Sequence, residues 1–170
     1  AKLNLLKWAF LEPDRLQPAR TREAVTQDAA MLLGGLAQRL RQRGHDPQPD
    51  AHFMTRVLFC LFAEDIGLLP ERLFSHLLEE ARRSPADFAA LASDLFRAMH
   101  QGGRFGFERI AWFNGGLFND DGCLPLEKAD LDTLHSAAAL DWSAIEPAIF
   151  GTLFERGLDP DKRSQLGAHY

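Results

Sequence analysis

The chain has 170 residues, of which 46% are hydrophobic, and thirteen Phe and three Trp supply large side chains for a core. This length and composition fit one globular domain and exclude an intrinsically disordered chain. The net charge of −5 and the pI of about 5.7 are not those of a free-standing nucleic-acid binder, which usually carries a basic domain. No apolar run reaches the roughly 18–20 residues that cross a membrane.

The two cysteines, Cys60 and Cys123, lie far apart and lack the spacing of a metal site. Cys60 falls in an apolar run and is predicted to be a buried thiol. We expect a cytoplasmic protein with no signal peptide and no membrane partner. Because the sequence starts at Ala1 without Met and stops abruptly at Tyr170, we also expect it to be a segment of a longer polypeptide.

In chain order, the first predicted helices span residues 2–11 and 18–43, and the second shows the apolar spacing of one helical face. We expect Gly34-Gly35 to interrupt it, because glycine weakens a helix interior. Residues 46–49 are predicted to form a loop. Asp50 should then cap a central helix over residues 51–66, which is apolar all round and therefore buried.

Helices are predicted next over residues 70–81 and 84–100, the latter starting with Ser84 as N-cap and Pro85 at the first turn. Residues 102–125 are rich in glycine and aromatics and favour a loop or small hairpin, with a turn at Asn114-Gly115. Helix resumes at residue 130, and a capping box at 143–146 starts a last helix that ends at 157. The fold class is therefore mainly α, an irregular bundle of about six to seven helices.

Glu64 and Asp65 are the nearest approach to a carboxylate site. Negative charges near a helix C-terminus oppose its macrodipole, so something should compensate them. An ion pair with an arginine, or capping of a neighbouring loop, is the favoured interpretation. A small independent hydrolase that uses Glu64 and Asp65 is the alternative.

Several arginines fall early in the chain and are predicted to form a solvated helical face rather than to contact DNA phosphates. They are Arg15, Arg20, Arg22, Arg39, Arg41 and Arg43. No P-loop, no nucleophile elbow and no His pair at zinc-binding spacing occurs. No lysine has an acidic residue two positions before it, as a restriction-type nuclease generally needs. We predict no catalytic residues and no metal site.

Four sequence blocks together resemble the helical spacer of single-chain restriction–modification enzymes of Types IIG and IIL and related large adenine-specific DNA methyltransferases. The blocks are residues 58–68 (LFCLFAEDIGL), 114–118 (NGGLF), 142–155 (WSAIEPAIFGTLFE) and 163–170 (RSQLGAHY). Singly each block is a weak signal, but their order and spacing are fairly specific. The resemblance covers roughly residues 57–170.

The resemblance implies a helical spacer domain over residues 1–157 and, over 158–170, a tail leading into a methyltransferase domain that is not present in this chain. It assigns only Gly167, Ala168, His169 and Tyr170 to a wall of the S-adenosylmethionine pocket, an incomplete site, with Arg163 nearby. The family's cofactor loop and its Asn-Pro-Pro-Tyr motif, which binds the flipped adenine, are absent. We therefore expect this segment to bind no cofactor, while its parent enzyme uses S-adenosylmethionine.

The leading functional hypothesis is a non-catalytic spacer that positions the methyltransferase relative to a nuclease or other N-terminal domain. Its implied partners are the adjacent domains of the same polypeptide and, in the parent, double-stranded DNA. A DNA-backbone-binding or domain-docking module is the alternative. The aromatic loop at 114–118 would be either packed on itself or a docking surface for an adjacent domain.

Overall fold

A computed structural model describes residues 22–113 and 115–145. The predicted first helix, the end of the 143–157 helix and residues 158–170 lie outside this range, so the predicted number of helices and the domain boundary at 157 stay predictions. The described part is mainly α, as predicted. Five α-helices are present there, together with one two-stranded hairpin and three short 3-10 turns.

The helices are α1 (Arg22–Gln42), α2 (Pro47–Asp65), α3 (Leu73–Arg83), α4 (Phe88–Gln101) and α5 (Lys128–Ala138). The antiparallel strands β1 (Gly103–Phe105) and β2 (Glu108–Ile110) follow α4. The 3-10 turns span Pro85–Asp87, Gly116–Phe118 and Trp142–Ala144. One continuous hydrophobic core draws residues from all five helices, from β2 and from the segments that follow them.

Helix α1 continues through Gly34 and Gly35, so the predicted interruption there is wrong. Its face of Val25, Ala29 and Leu36 is buried. Burial of that apolar stripe outweighs the loss of roughly 1 kcal/mol of helix propensity per glycine.

Helix α2 begins earlier than predicted, because Pro47 occupies its first turn and Asp46 is the N-cap. The predicted loop at 46–49 and the predicted N-cap at Asp50 are therefore both wrong. Proline is well tolerated in a first turn, where backbone amides have no intrahelical partner. Asp50 instead lies within the helix and is only 2% exposed.

The predicted stop of α2 at Gly67 is confirmed. Gly67 has a φ of 78°, a left-handed conformation that glycine adopts without strain. The amide of Leu68 donates to the carbonyl of Ala63 at 2.8 Å, and the amide of Gly67 donates to Glu64 at 3.4 Å. These two hydrogen bonds form a Schellman motif, which satisfies the last carbonyls of α2.

Helix α4 starts after a 3-10 turn at Pro85–Asp87, and the side chain of Ser84 makes no capping hydrogen bond. The hairpin that follows confirms the predicted small hairpin near 102–125. Its turn, however, lies at Gly106-Phe107 rather than at Asn114-Gly115. Gly106 has a φ of 58° and supplies the left-handed residue that a tight turn needs.

The aromatic loop packs on its own rings and on the helices, as one of the two predictions for it stated. Phe118 is buried, and its ring centroid lies 5.6 Å from those of Phe59 in α2 and Phe96 in α4. Arg56 of α2, only 2% exposed, holds the far side of this loop by donating to the carbonyl of Asp120. Its guanidinium also lies 5.2 Å from the centroid of Phe96, within the range of a cation–π contact.

Cys60 is fully buried, as predicted, and its thiol lies 3.8 Å from the sulfur of Met99. Burial in this apolar setting raises the pKa of Cys60 well above its ordinary value. Both cysteines are reduced. None of the helices in residues 22–113 and 115–145 combines the length and apolarity that a membrane span requires.

The buried carboxylate of Asp50 leads to a prediction about the stability of the folded chain. Both of its carboxylate oxygens lack a hydrogen-bond partner within the described residues. Burial raises the pKa of Asp50, with His45 and Arg41 partly offsetting the effect. A carboxyl with a raised folded pKa contributes most to stability in acid and loses that contribution as pH rises through the folded pKa.

We therefore expect Asp50→Asn to raise the free energy of unfolding at pH 7 by about 1 kcal/mol, because it removes an unpaired buried charge. Urea denaturation measures the change. Asp46→Asn, at an exposed position four residues before Asp50, is the matched control and should have a smaller effect. A less stable Asp50→Asn protein would contradict this account of the site.

Candidate functional site

The predicted carboxylate pair lines an open cleft of about 540 Å³ between the end of α2, the start of α3 and the end of α5. Glu64 and Asp65 form one wall, and His135 and Asp141 lie on the other. Arg72 and Ser75 complete the polar lining. The geometry of these groups tests whether the pair is structural or reactive.

Glu64 is buried, and it accepts hydrogen bonds at the start of α3, where the side chain of the N-cap residue makes no capping hydrogen bond. The N-cap position of α3 is held by Arg72, in a left-handed conformation with a φ of 55°, and this side chain cannot accept a hydrogen bond. Glu64 accepts from the amide of Ser75 at 3.0 Å and from its hydroxyl at 2.5 Å. A carboxylate at this place also faces the positive end of the α3 dipole. The predicted structural role, capping of a neighbouring segment, is confirmed for Glu64.

Asp65 likewise accepts a hydrogen bond from a backbone amide at the start of another element. Its carboxylate accepts a 2.7 Å hydrogen bond from the amide of Trp142, the first residue of the last 3-10 turn. Burial raises the pKa of Asp65, the hydrogen bond from Trp142 lowers it, and the charge of Asp141 raises it again. The net pKa lies above its ordinary value. The indole of Trp142 is fully buried and donates to the carbonyl of Ala137 at 2.8 Å.

The chemistry available in this cleft follows from these bonds. Both carboxylate oxygens of Glu64 accept hydrogen bonds from Ser75, and one oxygen of the exposed Asp65 accepts from the amide of Trp142. Within residues 22–113 and 115–145, no three His, Cys, Asp or Glu side chains converge as metal ligands. The geometry therefore favours the structural interpretation of the pair over the hydrolase alternative.

The early arginines were predicted to form a solvated helical face, but two of them, Arg39 and Arg43, bind a buried carboxylate. Arg39 donates from Nε to Asp130 at 2.9 Å and from Nη2 to the hydroxyl of Thr133 at 2.7 Å. Arg43 donates to the other carboxylate oxygen of Asp130 and lies 3.2 Å from Glu127. These contacts join α1 to the start of α5. Arg15 and Arg20 lie outside the described residues, and Arg22 is exposed.

Asp130 is the centre of this contact and was missed as a functional residue in the sequence. It is 1% exposed, and it accepts hydrogen bonds from both arginines and from the amide of Glu127 at 3.0 Å. The last bond completes a capping box at the start of α5. Burial alone would raise the pKa of Asp130, but the hydrogen bonds from Arg39 and Arg43 outweigh it, so the pKa lies below its ordinary value. A Glu-x-x-Asp spacing was the local signal for the cap, whereas nothing local indicates partners 91 and 87 positions away.

The candidate cofactor residues Gly167, Ala168, His169 and Tyr170 lie outside the described residues, as does Arg163. Their assignment to a pocket wall stays a prediction. The structure shows two other polar sites instead, one at Glu64 and Asp65 and a separate one at Asp130.

Comparison with known proteins shows what the helical block is similar to. A family model described as "MmeI, helicase spacer domain" matches residues 48–118. The resemblance predicted from the sequence is confirmed. The solved structure of the Type IIL restriction–modification enzyme MmeI in complex with DNA superposes with a TM-score of 0.67 at 32% identity, over 84% of this chain and 20% of that chain. DNA methyltransferase A of Bacillus subtilis (strain 168) is 29% identical over 69% of this chain.

The chain spans 14% of the length of that Bacillus methyltransferase and 20% of the MmeI chain. The MmeI-like segment of 48–118 runs from the first turn of α2 to the aromatic loop. It therefore includes Glu64, Asp65 and the residues that Glu64 caps. Asp130 and its partners Arg39 and Arg43 lie on either side of it.

Removal of the Glu64 carboxylate tests its capping role. We expect Glu64→Ala to lower the free energy of unfolding by about 1–3 kcal/mol, because the buried amide of Ser75 loses its acceptor. Urea denaturation measures the loss, and Glu71→Ala, at an exposed position in the same connection, is the matched control. Equal stability of the two variants would contradict the capping role.

The Asp130 contact predicts a dependence on pH. We expect Asp130→Asn to lower the free energy of unfolding at pH 7 by about 2 kcal/mol, since a buried charge pair loses one member. Because the folded pKa of Asp130 lies below its unfolded value of about 3.9, the contribution of the carboxylate is complete above that pH and is lost as pH falls through the folded pKa.

The difference between the native chain and Asp130→Asn should therefore shrink in acid, as followed by thermal unfolding from pH 7 downwards. Asp132→Asn, on the same helix, breaks only a half-exposed pair with Arg82 and serves as control. A difference that stays constant with pH would rule out an ionised Asp130 as its cause.

Proposed function

We propose that this chain is a non-catalytic spacer in a single-chain DNA methyltransferase of the restriction–modification type. Its task is to set the position of the methyltransferase domain relative to a nuclease or another N-terminal domain. A spacer of this kind needs rigidity more than reactive groups, because a packed block transmits orientation and a flexible tether does not.

The proposal rests on the hydrogen bonds that join the two ends of the described block. Helix α1 comes first in the described chain and α5 is its last α-helix, and Asp130 joins them through Arg39 and Arg43. Asp65 adds a second tie, from the end of α2 to Trp142. The segments that enter and leave the block are thus fixed to each other.

The parent enzyme in this proposal transfers a methyl group from S-adenosylmethionine to the N6 of adenine in double-stranded DNA. The spacer covers residues 1–157, and residues 158–170 lead into the methyltransferase domain. Gly167, Ala168, His169 and Tyr170 would form one wall of the cofactor pocket, with the remaining walls in that following domain. The names of the two relatives, a DNA methyltransferase and a restriction–modification enzyme solved with DNA, support a parent enzyme that methylates DNA. The proposed location is the bacterial cytoplasm.

The spacer role is favoured over the alternatives by what the polar groups do. Glu64 and Asp65 accept hydrogen bonds from backbone amides, which favours a structural role for the pair over an independent hydrolase. Arg39 and Arg43 hold Asp130, which removes two cations from a DNA-binding face of α1. The aromatic loop is packed inward around Phe118, which speaks against its use as a docking surface.

The test uses the parent enzyme with fluorescent labels on the domains that flank the spacer. Replacement of residues 22–145 by a flexible Gly/Ser linker should broaden the distribution of distances between the labels. The methyltransferase domain should keep its methyl transfer at saturating DNA and cofactor. A full-length enzyme with Asp132→Asn is the control, and its distances should stay narrow.

Two results would overturn the proposal. An unchanged distance distribution in the linker variant would show that the block does not set the position of its neighbours. Complete loss of methyl transfer in a variant whose methyltransferase domain is folded and binds cofactor would show that the block contributes to the reaction itself.

A further inference from the structure

The hairpin β1–β2 carries two arginines in an arrangement that is unfavourable without an anionic partner. Arg104 and Arg109 are directly opposite each other in the antiparallel register. Opposed residues of such a pair project from the same face, and like charges placed in this way destabilise a hairpin. Both side chains are exposed. A counter-charge from outside the hairpin would relieve this repulsion.

In the described part of the chain, the acid that lines the same cleft as Arg104 is already paired: Asp94 forms an ion pair with Arg97. Neither Arg104 nor Arg109 has an ion pair or a side-chain hydrogen bond there. The hairpin's own acid, Glu108, is paired with Phe105 and thus projects from the opposite face. Other arginines of this acidic chain do contact carboxylates, as Arg82 does with Asp132 and Arg97 with Asp121.

Two exposed aromatic residues are close to the arginine pair in the sequence. Phe107, at the hairpin turn, is 102% exposed, more than any other large apolar residue in the described part of the chain. Trp112, just after β2, is 61% exposed. Isolated apolar residues on a surface need no explanation, but each of these two exposed aromatics is within three residues of an arginine that has no ion pair among the described residues.

We propose that this hairpin patch, formed by Arg104, Phe107, Arg109 and Trp112, contacts double-stranded DNA. The two guanidiniums bind backbone phosphates, and Phe107 contacts the adjoining sugar or base edge. The inference rests on the proposed function, because the parent enzyme acts on DNA. Phosphate binding by arginine is charge-assisted and often bidentate, so a duplex supplies the counter-charge that the opposed pair lacks.

The choice of DNA over another polyanion follows from the combination of groups. Arginine exceeds lysine where planar hydrogen bonding to phosphate matters, and the patch contains two arginines and no lysine. The solved MmeI structure, to which 84% of this chain is similar, was determined in complex with DNA. An anionic membrane surface and an acidic protein segment are the other possible occupants, and each is an arm of the test.

The test measures binding of the 170-residue chain to a fluorescein-labelled duplex of mixed sequence over a series of salt concentrations. We expect Arg104→Gln with Arg109→Gln to lower the slope of log affinity against log salt by about 2, since each lost phosphate contact removes about 0.9. The matched control is Arg82→Gln with Arg83→Gln, which changes net charge equally on helix α3. Its slope should stay close to that of the native chain.

The ring at the turn gives a second, non-electrostatic readout. Phe107→Ala should weaken duplex binding with an unchanged salt slope, because it removes contact area and no charge. Thermal unfolding separates binding from folding defects. The double arginine variant should be at least as stable as the native chain, since it relieves repulsion between like charges.

The inference fails if the control pair lowers the slope as much as the hairpin pair does. It also fails if vesicles of anionic phospholipid, or a polyglutamate peptide, bind the native chain through the hairpin while the duplex does not. These outcomes leave the spacer role intact, because the distances between labelled domains in the parent enzyme do not depend on the hairpin. Conversely, unchanged distances in the linker variant would leave the duplex measurements standing.

Discussion

The structure depends above all on one buried carboxylate. Asp130 accepts hydrogen bonds from Arg39, from Arg43 and from the amide of Glu127, so a single side chain starts α5 and fixes it to α1. A buried ion pair gains little over a packed apolar contact of the same volume, but loss of one member is costly. Its value here lies in specificity, because only one register of α1 against α5 brings two guanidiniums to the two carboxylate oxygens.

The same principle explains the pair Glu64 and Asp65. Adjacent carboxylates at the end of a helix are unfavourable by themselves, and here each is satisfied by an amide at the start of another element. Two negative charges at the end of α2 thereby direct α3 and the turn at Trp142. Glu64, Asp65 and Asp130 each join two segments of the chain, in keeping with the proposed spacer role.

Much of the fold could be predicted, because periodic apolar faces and the Gly67 stop are local signals. Prediction from the sequence was wrong where several local signals competed. Pro47 indicated a loop, although proline also suits the first turn of a helix. Asp50 resembled a cap and lies buried inside a helix instead. The contact at Asp130 could not be predicted, since its partners are 91 and 87 positions away and each residue looks like an ordinary surface charge.

We expect α1 and α5, which Asp130 joins, to form one cooperative unit with α2. Native-state hydrogen exchange tests this directly, because it measures the free energy of opening for each helix. We expect the slowest amides of all three helices to exchange through one common opening, whose free energy equals that of global unfolding. Exchange of α1 through a separate opening of much lower free energy, while α2 stays protected, would contradict it.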